Sequence, residues 1–159
     1  MLSRTVVVLV PWWLVVAVAN ADDDVKKDIK QMQGKWQAVG VQAQGKEAPK
    51  EQVKKFRIVI MGNEITFNPD SGNRKSQFKV IPIKSPKAMD MTPLDGPMKG
   101  KTIRGIYSLE DGLLKICIPN GRKITKRPTE FKTLLGDGLA LMIFELDAAA
   151  IGRGFSEQG

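Results

Sequence analysis

Few residues in this chain could carry out chemistry. Its 159 residues include no histidine, which removes the commonest general base near neutral pH and the commonest metal ligand together. Catalytic triads that depend on histidine are excluded. A single cysteine without histidine cannot assemble a zinc site of the usual composition. Carboxylate or lysine chemistry remains, and Asp90 is the carboxylate that stands out. It lies between Met89 and Met91, so in a strand it projects opposite to both. If the methionines point outward, Asp90 is buried and needs Arg104, Arg127 or hydrogen bonds to stay ionised. A structural ion pair is the expected arrangement, with Asp90 lining the interior. No second carboxylate has a spacing that marks it as a catalytic partner. The sequence therefore reads as non-enzymatic, with no catalytic residue, metal or cofactor.

Cys117 is the only cysteine, so no internal disulfide can form. It falls in an apolar strand, where a small buried thiol is expected; a reactive one needs a nearby base or a helix N-terminus to lower its pKa. The fold must rest on burial and hydrogen bonds. About 138 residues remain once Met1 to Ala21 are set aside, enough for one domain without a covalent staple.

Met1 to Ala21 reads as a secretory signal. Arg4 supplies the positive start, Thr5 to Val18 the apolar run, and Ala19-Asn20-Ala21 the small residues of a cleavage site. The run is about fourteen residues, short against the roughly 20 of a membrane span. The expected destination is periplasmic or extracellular, with no transmembrane helix in the mature chain. The formal charge is +8, or about +7 without Arg4. That surface suits anionic partners. Nucleic acid is disfavoured, because no basic stripe interleaved with aromatics occurs.

The elements that must position these residues are mostly short strands. Lys101 to Pro119 reads as a hairpin turning at Asp111-Gly112, which puts Leu109 opposite Leu114, Tyr107 opposite Ile116 and Gly105 opposite Ile118. Ser108 and Lys115 then share the other face. A second hairpin turns at Gly62-Asn63, with Ile60 opposite Ile65 and Ile58 opposite Phe67. Asp22 to Gln33 has helical spacing, with Val25, Ile29 and Met32 on one face. Trp36 to Ala43, Ser76 to Ile81 and Lys87 to Thr92 read as further strands. A short extended piece is expected within Arg127 to Leu134. Leu139 to Leu146 is apolar throughout, so both its faces should be covered. Residues 22–147 form the domain and 148–159 a tail. The expected fold is all-β: an antiparallel barrel of about eight strands with a short N-terminal helix.

Gly34-Lys35-Trp36 at the start of the first strand resembles the G-x-W signature of lipocalins. MQGKWQAV, GKEAP, SPKAMDMT, GPMKGKTIRGIYSLEDGLLKIC and RPTEFKT follow in order. Together they resemble an uncharacterised lipocalin-like secreted domain family common in planctomycete bacteria. The alanine-rich end after Asp147 departs from that family's usual short basic ending. The resemblance implies fold and export and supplies no catalytic residue. It also implies that Trp36 packs across the closed end of the barrel with an arginine against it. Arg127 is the nearest candidate, with Arg104 as the alternative.

Two functions follow as expectations. In the leading one, the barrel holds a small apolar or amphipathic ligand against Ile58, Phe67, Tyr107, Ile116 and Asp90, with Gly40, Ala88 and Gly105 leaving room. In the alternative, the barrel is filled and a monomeric module meets an anionic protein, polysaccharide or lipid surface. Its contacts would come from a basic rim of Lys99, Lys101, Arg122, Lys123 and Lys126.

Overall fold

The computed structural model describes residues 21–120 and 126–148. Most of the expected signal segment, the rim residues Arg122 and Lys123, and the tail beyond Ala148 lie outside the described residues. In chain order the elements are α1 (Ala21–Met32), β1 (Gly34–Ala43), β2 (Lys46–Glu47), α2 (Lys50–Val53) and β3 (Arg57–Met61). Then come β4 (Glu64–Phe67), β5 (Arg74–Ile81), β6 (Ala88–Pro93), β7 (Ile103–Glu110), β8 (Leu113–Pro119) and β9 (Leu139–Leu146).

From β3 to β9 each strand pairs antiparallel with the next, and β1 pairs with both β3 and β9. Eight strands thus close an antiparallel barrel, and β2 is a short extra strand on the end of β1. Closure leaves no long open edge. The turns explain the pairing. Asp111 and Gly112 both take positive φ, 53° and 75°, the conformation a two-residue hairpin needs to match the strand twist. Leu109 then faces Leu114 and Tyr107 faces Ile116, as expected. The Gly62 turn sets Ile60 against Ile65 and Ile58 against Phe67.

In β1 the register to β9 shifts between Ala38 and Gly40. This bulge leaves Val39 48% exposed, and bends the strand so that it leaves β3 and finishes against β9 and β2.

Antiparallel pairing gathers the start of β1, the β3–β4, β5–β6 and β7–β8 turns and the end of β9 at one end of the barrel. α1 covers that end. Met32 is fully buried, and Val25 and Ile29 pack on the core. The interior is one continuous cluster that includes Trp36, Ile58, Phe78, Met89, Met91, Tyr107, Ile116 and Phe144. A second cluster of Ile106, Cys117 and Leu141 lies on the outer wall beneath Phe131. This accounts for the unbroken apolarity of β9. Met142 and Phe144 belong to the interior, while Leu141 and Ile143 belong to the outer cluster.

The extended piece expected within Arg127 to Leu134 is not a strand. β8 and β9 pair directly with each other, and β9 also pairs with β1, so the wall there offers no free edge. Pro128 also lacks an N–H to donate. The segment instead lies across the outer wall. The Gly45 amide donates to Thr133 Oγ1 (3.1 Å) and the Gly136 amide to Gln44 Oε1 (3.0 Å), tying it to the β1–β2 turn. Among the described residues no helix is long and apolar enough to cross a membrane.

Candidate functional site

Of the expected cavity wall, Ile58, Tyr107 and Ile116 face inward and are at most 1% exposed. Phe67 is half-buried and stacks on Phe56, with ring centroids 6.3 Å apart. The space expected around glycine and alanine is taken or lies elsewhere. A Cβ on Gly105 would sit 2.6 Å from Ile118 Cγ2, so that gap is already filled. Gly40 packs against Ile143. Ala88 pairs with Ile106 of the outer cluster and so faces out of the barrel.

Asp90 is not a cavity residue. Met89 and Met91 fill the interior, which turns Asp90 to the outer wall. There its Oδ1 accepts a 2.6 Å bond from Arg127 Nη2, with the two side chains only 28% and 22% exposed. The expected ion pair is present, but on the opposite side of the sheet. Arg127 Nη1 also donates to the carbonyls of Gly105 (2.7 Å) and Met89 (3.2 Å). Arg127 therefore fastens the wall segment and does not stack on Trp36. Arg104 pairs with Asp90 across β6 and β7 and is exposed on the outer face. Trp36 itself is 4% exposed at the α1 end, and its Nε1 donates to the Met32 carbonyl at 2.8 Å.

Of the expected rim, Lys99 and Lys101 are exposed in the β6–β7 loop at the barrel end opposite α1, where β8 also ends.

Sequence reasoning missed the most deeply buried polar side chain among the described residues. Asp28 on α1 is 3% exposed. Its Oδ2 accepts from Tyr107 Oη at 2.6 Å and from Lys87 Nζ at 2.8 Å. Lys87 Nζ also stands 6.0 Å from the Tyr107 ring centroid. The signal was legible: Asp28 lies three residues after Val25 and four before Met32, inside the apolar stripe of the helix. A carboxylate there needs a buried partner.

Burial, then the hydrogen bond to Asp28 and its negative charge, push the Tyr107 phenol far above the ordinary tyrosine range. The phenol is thereby a fixed donor, unsuited to act as a base. Its folded pKa is raised, so its contribution to stability is intact below pH about 10, where unfolded tyrosine titrates, and is lost as pH rises further. The expected slope is about 1.4 kcal/mol per pH unit above that point. Tyr107 is the only tyrosine, which makes the check direct. Alkaline titration of the native protein should show no tyrosinate absorption near pH 11, and full absorption in urea. Tyrosinate in the native protein at that pH would contradict the buried bond.

Two other buried groups border the outer wall. Cys117 is fully buried, and burial, followed by the charge of Asp137, pushes its thiol up to about 11, with a backbone hydrogen bond at Lys132 acting the other way. Such a thiol stays protonated near neutral pH. Ser108, opposite Lys115 on the outer face, is 9% exposed, and its Oγ has no hydrogen-bond partner. Leaving a buried hydroxyl unpaired costs roughly 1–3 kcal/mol. Among the described residues no group of three or more cysteine or carboxylate side chains is placed to hold a metal ion.

In comparisons with known proteins, no family model, no curated protein and no solved structure matches the chain.

Proposed function

We propose that this is an exported, non-catalytic binding domain with a filled barrel, which meets an anionic partner through basic loops. The observation that carries this reading is the interior. Ile58, Met89, Met91, Tyr107, Ile116 and Phe144 are each at most 2% exposed and belong to one packed cluster. An interior ligand of any size would need several of these side chains to move aside, against the cost of disrupting a close-packed core. The closed, lipocalin-like shape then serves as a rigid scaffold for loops. Lys99 and Lys101 stand on the end away from α1, where an anionic surface can approach them, and the net positive charge favours that encounter. The leader-like Met1 to Ala21 supports export.

The test pairs two measurements on protein purified from its exported compartment. Native mass spectrometry should give the bare polypeptide mass. Retention on an acidic polysaccharide, or sedimentation with vesicles of anionic phospholipid, should be salt-sensitive and should weaken in Lys99→Gln/Lys101→Gln. A reproducible co-purifying small molecule released by organic solvent would overturn the filled-barrel reading and restore the interior-ligand one. Binding indifferent to salt and to both lysines would remove the rim.

A further inference from the structure

A cleft of about 530 Å³ opens on the outer face of the β7–β8 hairpin, on the α1 side of the barrel and away from the rim loops. Its volume is in the range of small-molecule sites. The β5–β6 loop forms one wall with Lys84 and Lys87, Phe131 of the wall segment forms another, and Ser108 and Lys115 form the floor. Glu110 is the one carboxylate lining it. Lys87 is engaged by Asp28 beneath. Among the described residues no carboxylate lies within 4.0 Å of Lys84 or Lys115.

We propose that this cleft binds a small organic oxyanion, a phosphate or carboxylate carried on an apolar body, through Lys115, Lys84 and the Ser108 hydroxyl. The floor carries the argument. Ser108 Oγ is the one buried side-chain nitrogen or oxygen among the described residues that lacks a hydrogen-bond partner. It lies on the strand position directly opposite Lys115, whose side chain is half-buried in the same cleft. Ser108 Oγ is shielded in the rotamer seen here; when its side chain turns toward the cleft, an oxyanion drawn in by the two free ammonium groups accepts the missing hydrogen bond. A bond from an ammonium or hydroxyl to an ionised oxygen is stronger than one between neutral groups. Phe131 gives the non-charged part of the ligand an apolar surface. The proposal goes beyond the rim reading and does not depend on it, because the two sets of lysines belong to opposite ends of the barrel.

The experiment is amide NMR of the full chain at low ionic strength, titrated with inorganic phosphate, phenyl phosphate and benzoate. Saturable shifts centred on Ser108, Lys115 and Phe131 are expected, and phenyl phosphate should bind more tightly than inorganic phosphate. Comparing phenyl phosphate with benzoate tells a phosphate site from a carboxylate one. Ser108→Ala should weaken binding about tenfold, the affinity lost with one hydrogen bond to a charged group. The same variant should keep or raise the melting temperature, since it deletes an unpaired hydroxyl. Lys115→Gln should abolish saturation. Unsaturable shifts scattered over the surface lysines, shifts confined to Lys99 and Lys101, or equal affinity in Ser108→Ala would each overturn the proposal.

Discussion

Replacing Trp36 with alanine is expected to lower unfolding free energy by about 3–5 kcal/mol, the usual cost of truncating a buried aromatic to alanine. Trp36 pairs with Ile58 of β3 on one side and Leu146 of β9 on the other. It is therefore where three strands and the end of α1 meet. Its removal opens a void beneath Met32 and leaves the Met32 carbonyl without the 2.8 Å bond from Nε1. That carbonyl is at the C-terminus of α1, where backbone acceptors have no partner within the helix. Trp36→Phe separates the two contributions. It keeps most of the packing and loses the bond, and should cost about 1 kcal/mol. Domains of this size are stable by roughly 5–15 kcal/mol, so the alanine variant loses a large fraction of the total. Urea titration followed by circular dichroism reads both values. A loss below about 1 kcal/mol for Trp36→Ala would remove Trp36 from the core.

The hairpins were the most legible part of the fold. Asp111-Gly112 and Gly62-Asn63 sit between strands whose apolar residues alternate, so one choice of turn fixes every cross-strand pair. The continuous apolarity of Leu139 to Leu146 likewise announced a strand covered on both faces. Its cover could not be read from the sequence, because the segment from Lys126 to Gly138 has no period. It is held by Phe131 packing, by Arg127 on two carbonyls and Asp90, and by Thr133 on the Gly45 amide. None of those contacts leaves a mark in local sequence.

The face of the sheet that Asp90 takes is not written in its local sequence. Alternation tells that Asp90 opposes Met89 and Met91 but not which set faces inward. Both faces of this wall are apolar in places, so methionines on either side were compatible with the pattern. The structure resolves it through β5: Met89 pairs with Val80 and Met91 with Phe78, both of the interior cluster. The lipocalin resemblance implies a cation on Trp36, and Arg127 is held on the outer wall by Asp90 instead. In this chain the base is closed by a polar link, Asp28 to Tyr107 and Lys87, with the cation against Tyr107 at its margin.

Asp28→Ala is the second large effect, with an expected loss of about 3 kcal/mol. Removing one partner of a buried ion pair typically costs roughly 3–5 kcal/mol. The lower end applies because the Lys87 side chain is 41% exposed, so water can solvate the freed ammonium. The Tyr107 hydroxyl has no such outlet, being 1% exposed; left without an acceptor it accounts for about 1–3 kcal/mol of the loss. Asp28→Asn, which can still accept from Tyr107 but presents no charge to Lys87, should fall between. Tyr107→Phe in either background completes a double-mutant cycle, for which a coupling energy of about 1–2 kcal/mol is expected between contacting groups. Hydrogen exchange distinguishes loss of the helix from loss of the barrel. α1 amides should exchange faster in Asp28→Ala under conditions where β7 and β8 amides remain protected. If the variant loses less than about 1 kcal/mol and α1 protection is unchanged, Val25, Ile29 and Met32 hold the helix by apolar contact alone. The carboxylate would then be a passenger in the stripe. If the loss is as expected, the helix and the barrel share one polar fastening, and closure of this end depends on a residue that composition alone would have placed in solvent.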